Sequence, residues 1–187
     1  PEEMTLNSSK GGFFIKEKNS LWKGQKLFDL YKKGTTPREW HAELFETAKK
    51  NNIILFSTPF SVSAVDFLEK FNPPLYKIAS FDLLNLPLIR KVASTNKPMI
   101  ISTGMAYLSE VQDALLEVAK CGNQNVILMQ CTSSYPCPPE SMNIRAIDTM
   151  KNAFNELPVG ISDHVIGDMV SIAAVARGAN IVEKHFT

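Results

Sequence analysis

The sequence predicts an α/β fold of parallel β/α units, a (β/α)8 barrel of which about six of the eight strands are present. Three observations predict it. Short apolar runs alternate with amphipathic stretches, one run recurring roughly every twenty to thirty residues from Ile53 onward. Parallel neighbours need such crossovers, whereas antiparallel ones can be joined by a tight hairpin. No glycine-rich dinucleotide fingerprint follows the first run, which disfavours an open doubly wound sheet. Finally, nearly every run ends in a hydroxyl, an imidazole or a charged group. A barrel gathers its strand ends round one mouth, while an open sheet divides them about a switch point.

Residues 1–36 read as irregular, punctuated by Gly11-Gly12, Gly24 and Gly34 and frequent in Lys and Asn. Thr36-Pro37-Arg38-Glu39 reads as a helix start with Thr36 as N-cap, and Trp40, Leu44, Phe45 and Ala48 then share one face. The expected strands are Ile53–Phe56, Tyr76–Ala79, Pro98–Ile101, Val126–Met129, Val159–Ile161 and Asn180–Glu183, continuous apolar runs of the kind buried on both faces. Helical spacing falls near 62–71, 84–95, 108–121, 140–155 and 167–177. Ser61 and Ser109 are expected caps, and Gly122 and Gly178 stand where helices should stop.

Composition bounds the function. The 187 residues are 44% apolar and 21% charged, an ordinary globular mix. A net charge of +1 and the lack of a basic block with interleaved aromatics give nucleic acid no electrostatic footprint. Cys121, Cys131 and Cys137 have no metal-knuckle spacing and read as free thiols of a reducing compartment. No run approaches a membrane span, and a cytoplasmic address is expected.

The chemistry lies at the strand ends. They read Ser57-Thr58-Pro59-Phe60, Lys77-Ile78-Ala79-Ser80, Ser102-Thr103-Gly104-Met105, Cys131-Thr132-Ser133-Ser134-Tyr135-Pro136, Ser162-Asp163-His164 and Glu183-Lys184-His185-Phe186-Thr187. Singly, each Ser or Thr is an ordinary cap or turn residue. Together, hydroxyls and a lysine at one mouth make a cradle for an anion bearing phosphate and carboxylate. Lys77, inside an apolar strand, could bind phosphate, form a Schiff base, or pair with an acid. His164 and His185 follow consecutive strands and would be neighbours in a barrel, where they could share a divalent metal or simply pack. Asp163 could orient a ligand or cap the next helix.

These six motifs, in this order, resemble the sialic acid synthase family along nearly the whole chain, from about Met4 to Thr187. Leu27–Tyr31 and Thr36–His41 look like the pseudaminic acid branch of that family. The resemblance implies an enzyme condensing phosphoenolpyruvate with an N-acetylated amino-sugar aldehyde to a 2-keto acid, releasing phosphate. It implies a divalent metal on His164 and His185, manganese before magnesium or cobalt. It implies phosphoenolpyruvate among Thr58, Lys77, Ser80, Ser102, Ser133 and Ser162, with Tyr135 lining the substrate pocket, and it makes Lys77, Asp163, His164 and His185 the catalytic group. At Ser133 some members carry Asn. N-acetylneuraminate and legionaminate are the alternative products; a Schiff-base aldolase and a non-catalytic barrel are the alternatives of other kinds. The family pattern extends beyond this sequence at both ends. It leads us to expect the first two strands, with a glutamate and a second lysine, before Pro1, and a last helix, an aspartate and a small antifreeze-like domain after Thr187. On that reading the full-length protein is a homodimer and the 187 residues alone are inactive.

Overall fold

A computed structural model describes residues 1–18, 20, 22–154 and 157–186. Two compact units emerge, Pro1–Ile54 and Leu55–Thr187.

The first unit is helical. An antiparallel bridge, Phe14 to Lys26, precedes α1 (Leu27–Gly34), which the irregular texture of the first 36 residues did not suggest. None of its residues is buried, although Leu27, Phe28, Leu30 and Tyr31 give it an apolar stripe. A 3-10 turn, Arg38–Trp40, leads into α2 (His41–Lys50). Pro37 rather than Thr36 holds the N-cap position of that turn, without a side-chain capping bond.

The second unit carries five parallel strands: β1 (Tyr76–Ile78), β2 (Met99–Ser102), β3 (Val126–Cys131), β4 (Val159–Asp163) and β5 (Val182–Lys184). Their order is sequential, β1-β2-β3-β4-β5. A doubly wound sheet reverses direction partway; unbroken order keeps every crossover on one face and curls the sheet into a barrel arc. The helices are α3 (Val62–Leu68), α4 (Leu86–Ala93), α5 (Leu108–Lys120), α6 (Ala146–Ala153) and α7 (Met169–Ala176). Tyr76, Ile78, Met99, Ile101, Leu128, Val159 and Ile161 pack from the strands onto Val65, Leu88, Val92, Val111, Val118 and Ile147 of the helices in one core.

Several boundaries differ from expectation. Ile53–Phe56 forms no strand, so five strands stand where about six were expected. The segment's only ladder contact among the described residues is the next residue's bridge, Ser57 to Tyr76, and Ile53 and Ile54 are 64% and 71% exposed. An apolar run becomes a strand only when neighbours satisfy its backbone and cover its faces. The helix expected from residue 140 begins at Ala146, because Pro139–Ser141 forms a 3-10 turn and Asn143 turns at φ 46°. Its expected last residue, Asn155, lies outside the described residues, as does Thr187. Ser61 does cap α3, accepting the Ala64 N–H at 3.0 Å. Ser109 lies inside α5, whose N-cap is Tyr107, with the Glu110 carboxylate accepting the Tyr107 N–H at 2.7 Å. Gly122 and Gly178 follow their helices at φ 78° and 84°, the left-handed conformation that ends a helix cheaply only at glycine.

Candidate active site

Strand side chains alternate between faces, and parallel partners in register share a face. The helix-packed face carries Tyr76, Ile78, Met99, Ile101 and Leu128. The opposite face therefore carries Lys77, Ile100, Ser102, Met129, Cys131, Gly160, Ser162 and Glu183. This inner face is apolar below and polar toward the strand ends.

Lys77 on β1 and Glu183 on β5 meet across it, with Nζ 2.8 Å from Oε1. In a flat sheet, four strand spacings would put them about 19 Å apart. The ion pair is thus a direct measure of how far the arc has closed. The same Glu183 oxygen accepts the Ser162 hydroxyl at 2.7 Å, and Ser162 Oγ lies 3.1 Å from His164 Nε2. His164 Nδ1 is 2.8 Å from the Thr132 carbonyl oxygen. A carbonyl only accepts, so Nδ1 carries the proton and Nε2 keeps its lone pair in the neutral ring. Burial lowers the His164 pKa, assisted by nearby His185, against the opposing pull of the Thr132 carbonyl and Glu183. At Glu183 burial works upward, but the Lys77 ammonium and the Ser162 hydroxyl outweigh it and hold the carboxyl below its usual range. The result is a run of polar contacts, Lys77–Glu183–Ser162–His164–Thr132, interrupted as a hydrogen-bond chain at Ser162–His164, where the hydroxyl has given its one proton to Glu183 and the neutral ring's Nε2 has none to donate.

Three rings close the mouth. The His164 and His185 centroids lie 5.2 Å apart, Tyr135 lies 4.1 Å from His164, and it stacks on His185 at 5.6 Å. The expected convergence of the two imidazoles is therefore present. The donor chemistry fits a cation: a neutral His164 with its lone-pair nitrogen free of the backbone, beside a second imidazole at a spacing that two ligands about 2.0–2.1 Å from one ion can bridge. Among the described residues no third His, Cys, Asp or Glu completes a metal-binding group. Two imidazoles are what the described residues could offer such a cation.

Hydroxyls gather beside these rings. Ser102 Oγ and Ser133 Oγ are buried without a hydrogen-bond partner, the unspent capacity expected of groups awaiting a ligand. Ser80 Oγ accepts the Gly104 N–H at 3.0 Å. A Cβ at Gly104 would stand 2.8 Å from Ser80 Oγ and 3.1 Å from Ser133 Oγ, so glycine here lets both hydroxyls crowd the loop after β2. Thr58 is half-buried just beyond the Ser57–Tyr76 bridge, and no hydrogen bond joins it to the other site residues.

Asp163 stands apart. It belongs to the helix face, where its fully buried carboxylate accepts the Ser171 hydroxyl at 2.6 Å, the Val165 N–H at 2.9 Å and Lys184 Nζ at 2.9 Å. Burial alone would raise its pKa, but these three donors lower it. Its contacts tie β4 to β5 and α7. The structure adds Glu183, which the sequence reading quoted within a motif without giving it a role. Its signal was parity: Glu183 and His185 are two apart, as are Ser162 and His164.

The NeuB family matches this chain over residues 1–187. Pseudaminic acid synthase of Helicobacter pylori is 44% identical over 186 residues, covering 100% of this chain and 54% of that protein. N,N'-diacetyllegionaminic acid synthase of Campylobacter jejuni is 46% identical over 149 residues, covering 79% of this chain and 44% of that protein. Among solved structures, N-acetylneuraminic acid synthetase of Leptospira borgpetersenii superposes with a TM-score of 0.81 at 36% identity, covering 85% of this chain and 55% of that one. The chain spans about half the length of the curated relatives it matches. With parallel β/α units, converging strand ends and a family match from the first residue to the last, the chain belongs to the NeuB family.

Proposed function

We propose that this chain supplies the phosphoenolpyruvate cradle and the histidine pair of a synthase that joins phosphoenolpyruvate to an N-acetylated amino-sugar aldehyde. The product is a nonulosonic 2-keto acid, pseudaminic acid on the 44% identity to the synthases of that name, with phosphate released. The observation that carries the reading is the Lys77–Glu183–Ser162–His164 run of polar contacts beside two buried, unpartnered hydroxyls. Lys77, Ser80, Ser102 and Ser133, with Thr58, are donors suited to a small molecule carrying phosphate and carboxylate, and Ser162 joins them by turning its hydroxyl from Glu183 to the ligand. Anchoring both ends leaves the alkene one orientation; such positioning can lower a barrier by roughly 7–11 kcal/mol in favourable cases.

C3 of phosphoenolpyruvate attacks the aldehyde carbon of the open-chain sugar, forming the new C–C bond and leaving positive charge at C2. Water adds at C2, and the C2–O bond to phosphate breaks as the keto group forms. Glu183, held ionised by Lys77, faces that developing positive charge through Ser162. His164 and His185 would hold the divalent cation, manganese before magnesium or cobalt, which when bound supplies Lewis-acid polarisation of the aldehyde oxygen. Tyr135, stacked on His185 and tilted against His164, would flank the sugar as it enters. Lys77 donates to a carboxylate, so it offers no lone pair for a Schiff base.

The test is phosphate release by the full-length protein from phosphoenolpyruvate with a 2,4-diacetamido-trideoxy hexose and, separately, with N-acetylmannosamine. Turnover with the first, abolished by chelation and restored by manganese, is expected. Turnover with N-acetylmannosamine alone would move the assignment to the N-acetylneuraminate branch, and the 46% identity to a legionaminic acid synthase makes an isomeric diacetamido sugar the second acceptor to try. Borohydride trapping of a keto acid on Lys77, or heat of phosphoenolpyruvate binding without turnover on any acceptor, would overturn the reading. The 187 residues alone are expected to release no phosphate, and the full-length protein is expected to be a homodimer.

A further inference from the structure

The two histidines stand on adjacent strands, so their spacing depends on what joins β4 to β5 at that level. Parallel pairing runs through Ile161–Val182 and Ser162–Glu183 to Asp163–Lys184, the last rung of the ladder. His164 and His185 are the residues that follow that rung on either strand. The Lys184 side chain carries the connection past it. On the helix face its Nζ donates to the Asp163 carboxylate at 2.9 Å and to the Val165 carbonyl at 2.6 Å. Those two residues flank His164, and the same carboxylate accepts the Val165 N–H at 2.9 Å. One ammonium thus grips both neighbours of His164 from the residue that immediately precedes His185. Other contacts of this segment lead elsewhere. The Thr132 carbonyl meets His164 Nδ1 at 2.8 Å, and the Cys137 N–H donates to the His164 carbonyl at 2.9 Å, which ties His164 to the segment after β3. The Ser171 hydroxyl ties Asp163 to α7.

We propose that Lys184 is a positioning residue for the histidine pair. Its strap across the ends of β4 and β5 holds the two rings at their 5.2 Å centroid spacing, so that one divalent cation can take a nitrogen from each. Strand alternation puts the strap on the helix face and the imidazoles on the inner face, so Lys184 acts on the pair through the backbone. The strap ends on a fully buried carboxylate, which separates it from the surface ion pairs that contribute little. The inference rests on the proposed role of His164 and His185 as cation ligands.

The test is a paramagnetic resonance titration of metal-free, full-length protein with manganese, on wild type, Lys184→Met, Ser171→Ala and His164→Ala, with thermal unfolding of each. Lys184→Met keeps an unbranched side chain but loses the donors. It should weaken manganese binding about tenfold or more, the loss expected when a group that orients a metal ligand is removed. Ser171→Ala removes the α7 contact to the same carboxylate; it should lower the unfolding midpoint and leave manganese affinity unchanged. A folded Lys184→Met protein with wild-type affinity overturns the proposal. So does an equal loss of affinity in Ser171→Ala, which would make the effect a general loosening of the barrel. Should Lys184→Met fail to fold, Lys184→Gln decides by the same criteria. Wild type that binds no manganese, or binding that survives His164→Ala, removes the histidine-pair reading itself and this inference with it.

Discussion

Replacing Asp163 with alanine should destabilise the barrel unit rather than disarm it. The carboxylate is fully buried and accepts from Val165 N, Ser171 Oγ and Lys184 Nζ. Alanine strands the Val165 N–H and the Ser171 hydroxyl, each costing about 1–3 kcal/mol when buried and unpaired. Lys184 is one-third exposed and also donates to the Val165 carbonyl, so its ammonium reaches water at little further cost. Together these come to about 2–6 kcal/mol, a range centred on the usual penalty of about 3–5 kcal/mol for breaking a buried ion pair, which is the figure carried into the thermal shift. At about 2–4 °C per kcal/mol for a domain of this size, the midpoint of thermal unfolding should fall by roughly 6–20 °C. Asp163→Asn keeps an acceptor for Val165 and should lose about half as much.

The pH dependence has a definite sign. The folded-state pKa of Asp163 lies below its unfolded value, so its contribution is complete above the unfolded value of about 3.9 and is lost as pH falls through the folded one. The gap between wild type and Asp163→Ala, read by urea unfolding of the full-length protein, should be constant near neutrality and shrink below about pH 4. A gap under about 1 kcal/mol at pH 7, or one that widens in acid, would refute the reasoning. So would a folded Asp163→Ala protein with wild-type stability but no turnover, because that would return the residue to the reacting groups.

Other substitutions separate the scaffold from the site. Ser102→Ala removes a buried hydroxyl with no partner, so stability should hold or rise by up to about 1 kcal/mol while KM for phosphoenolpyruvate rises about tenfold or more; an unchanged KM would remove Ser102 from the cradle. Gly160→Ala places a Cβ 2.6 Å from both the Ile181 carbonyl oxygen and Met129 Sδ, and since the backbone oxygen cannot swing away, chemical denaturation should show a loss of about 1–3 kcal/mol. A double-mutant cycle of Lys77→Met and Glu183→Gln should give a coupling energy of about 0.5–3 kcal/mol in unfolding measurements, with strictly additive single losses arguing against the cross-arc pair.

The sequence reading was reliable wherever an element was long or periodic. Leu108, Val111, Leu115 and Val118 mark α5 to within a residue, and the runs at Met99, Val126 and Val159 became central strands with a ladder on both sides. It failed where context decides. Ile53–Phe56 is as apolar as those runs, but Ile53 and Ile54 stay exposed and, among the described residues, neighbouring Ser57 makes the only bridge. The start of α6 was misplaced because the 3-10 turn at Pro139 and the left-handed Asn143 interrupt a stretch whose apolar spacing alone looks helical. Local backbone geometry of that kind leaves little trace in periodicity.

Within the candidate site the discriminating quantity was available in the sequence as odd and even numbers. In Ser162-Asp163-His164 the outer two residues share the inner face and join one run of polar contacts, while Asp163 turns toward the helices. In Glu183-Lys184-His185 the pattern repeats: Glu183 and His185 face inward, and Lys184 reaches back to Asp163. The two middle residues pair across adjacent strands, so the scaffold's ion pair lies back to back with the site's own charges. A strand-end motif of three polar residues therefore supplies two groups for chemistry and one for the frame. Parity selects Glu183 for the site and sets Asp163 outside it, a division that chemical character alone, two carboxylates each beside a histidine motif, does not make.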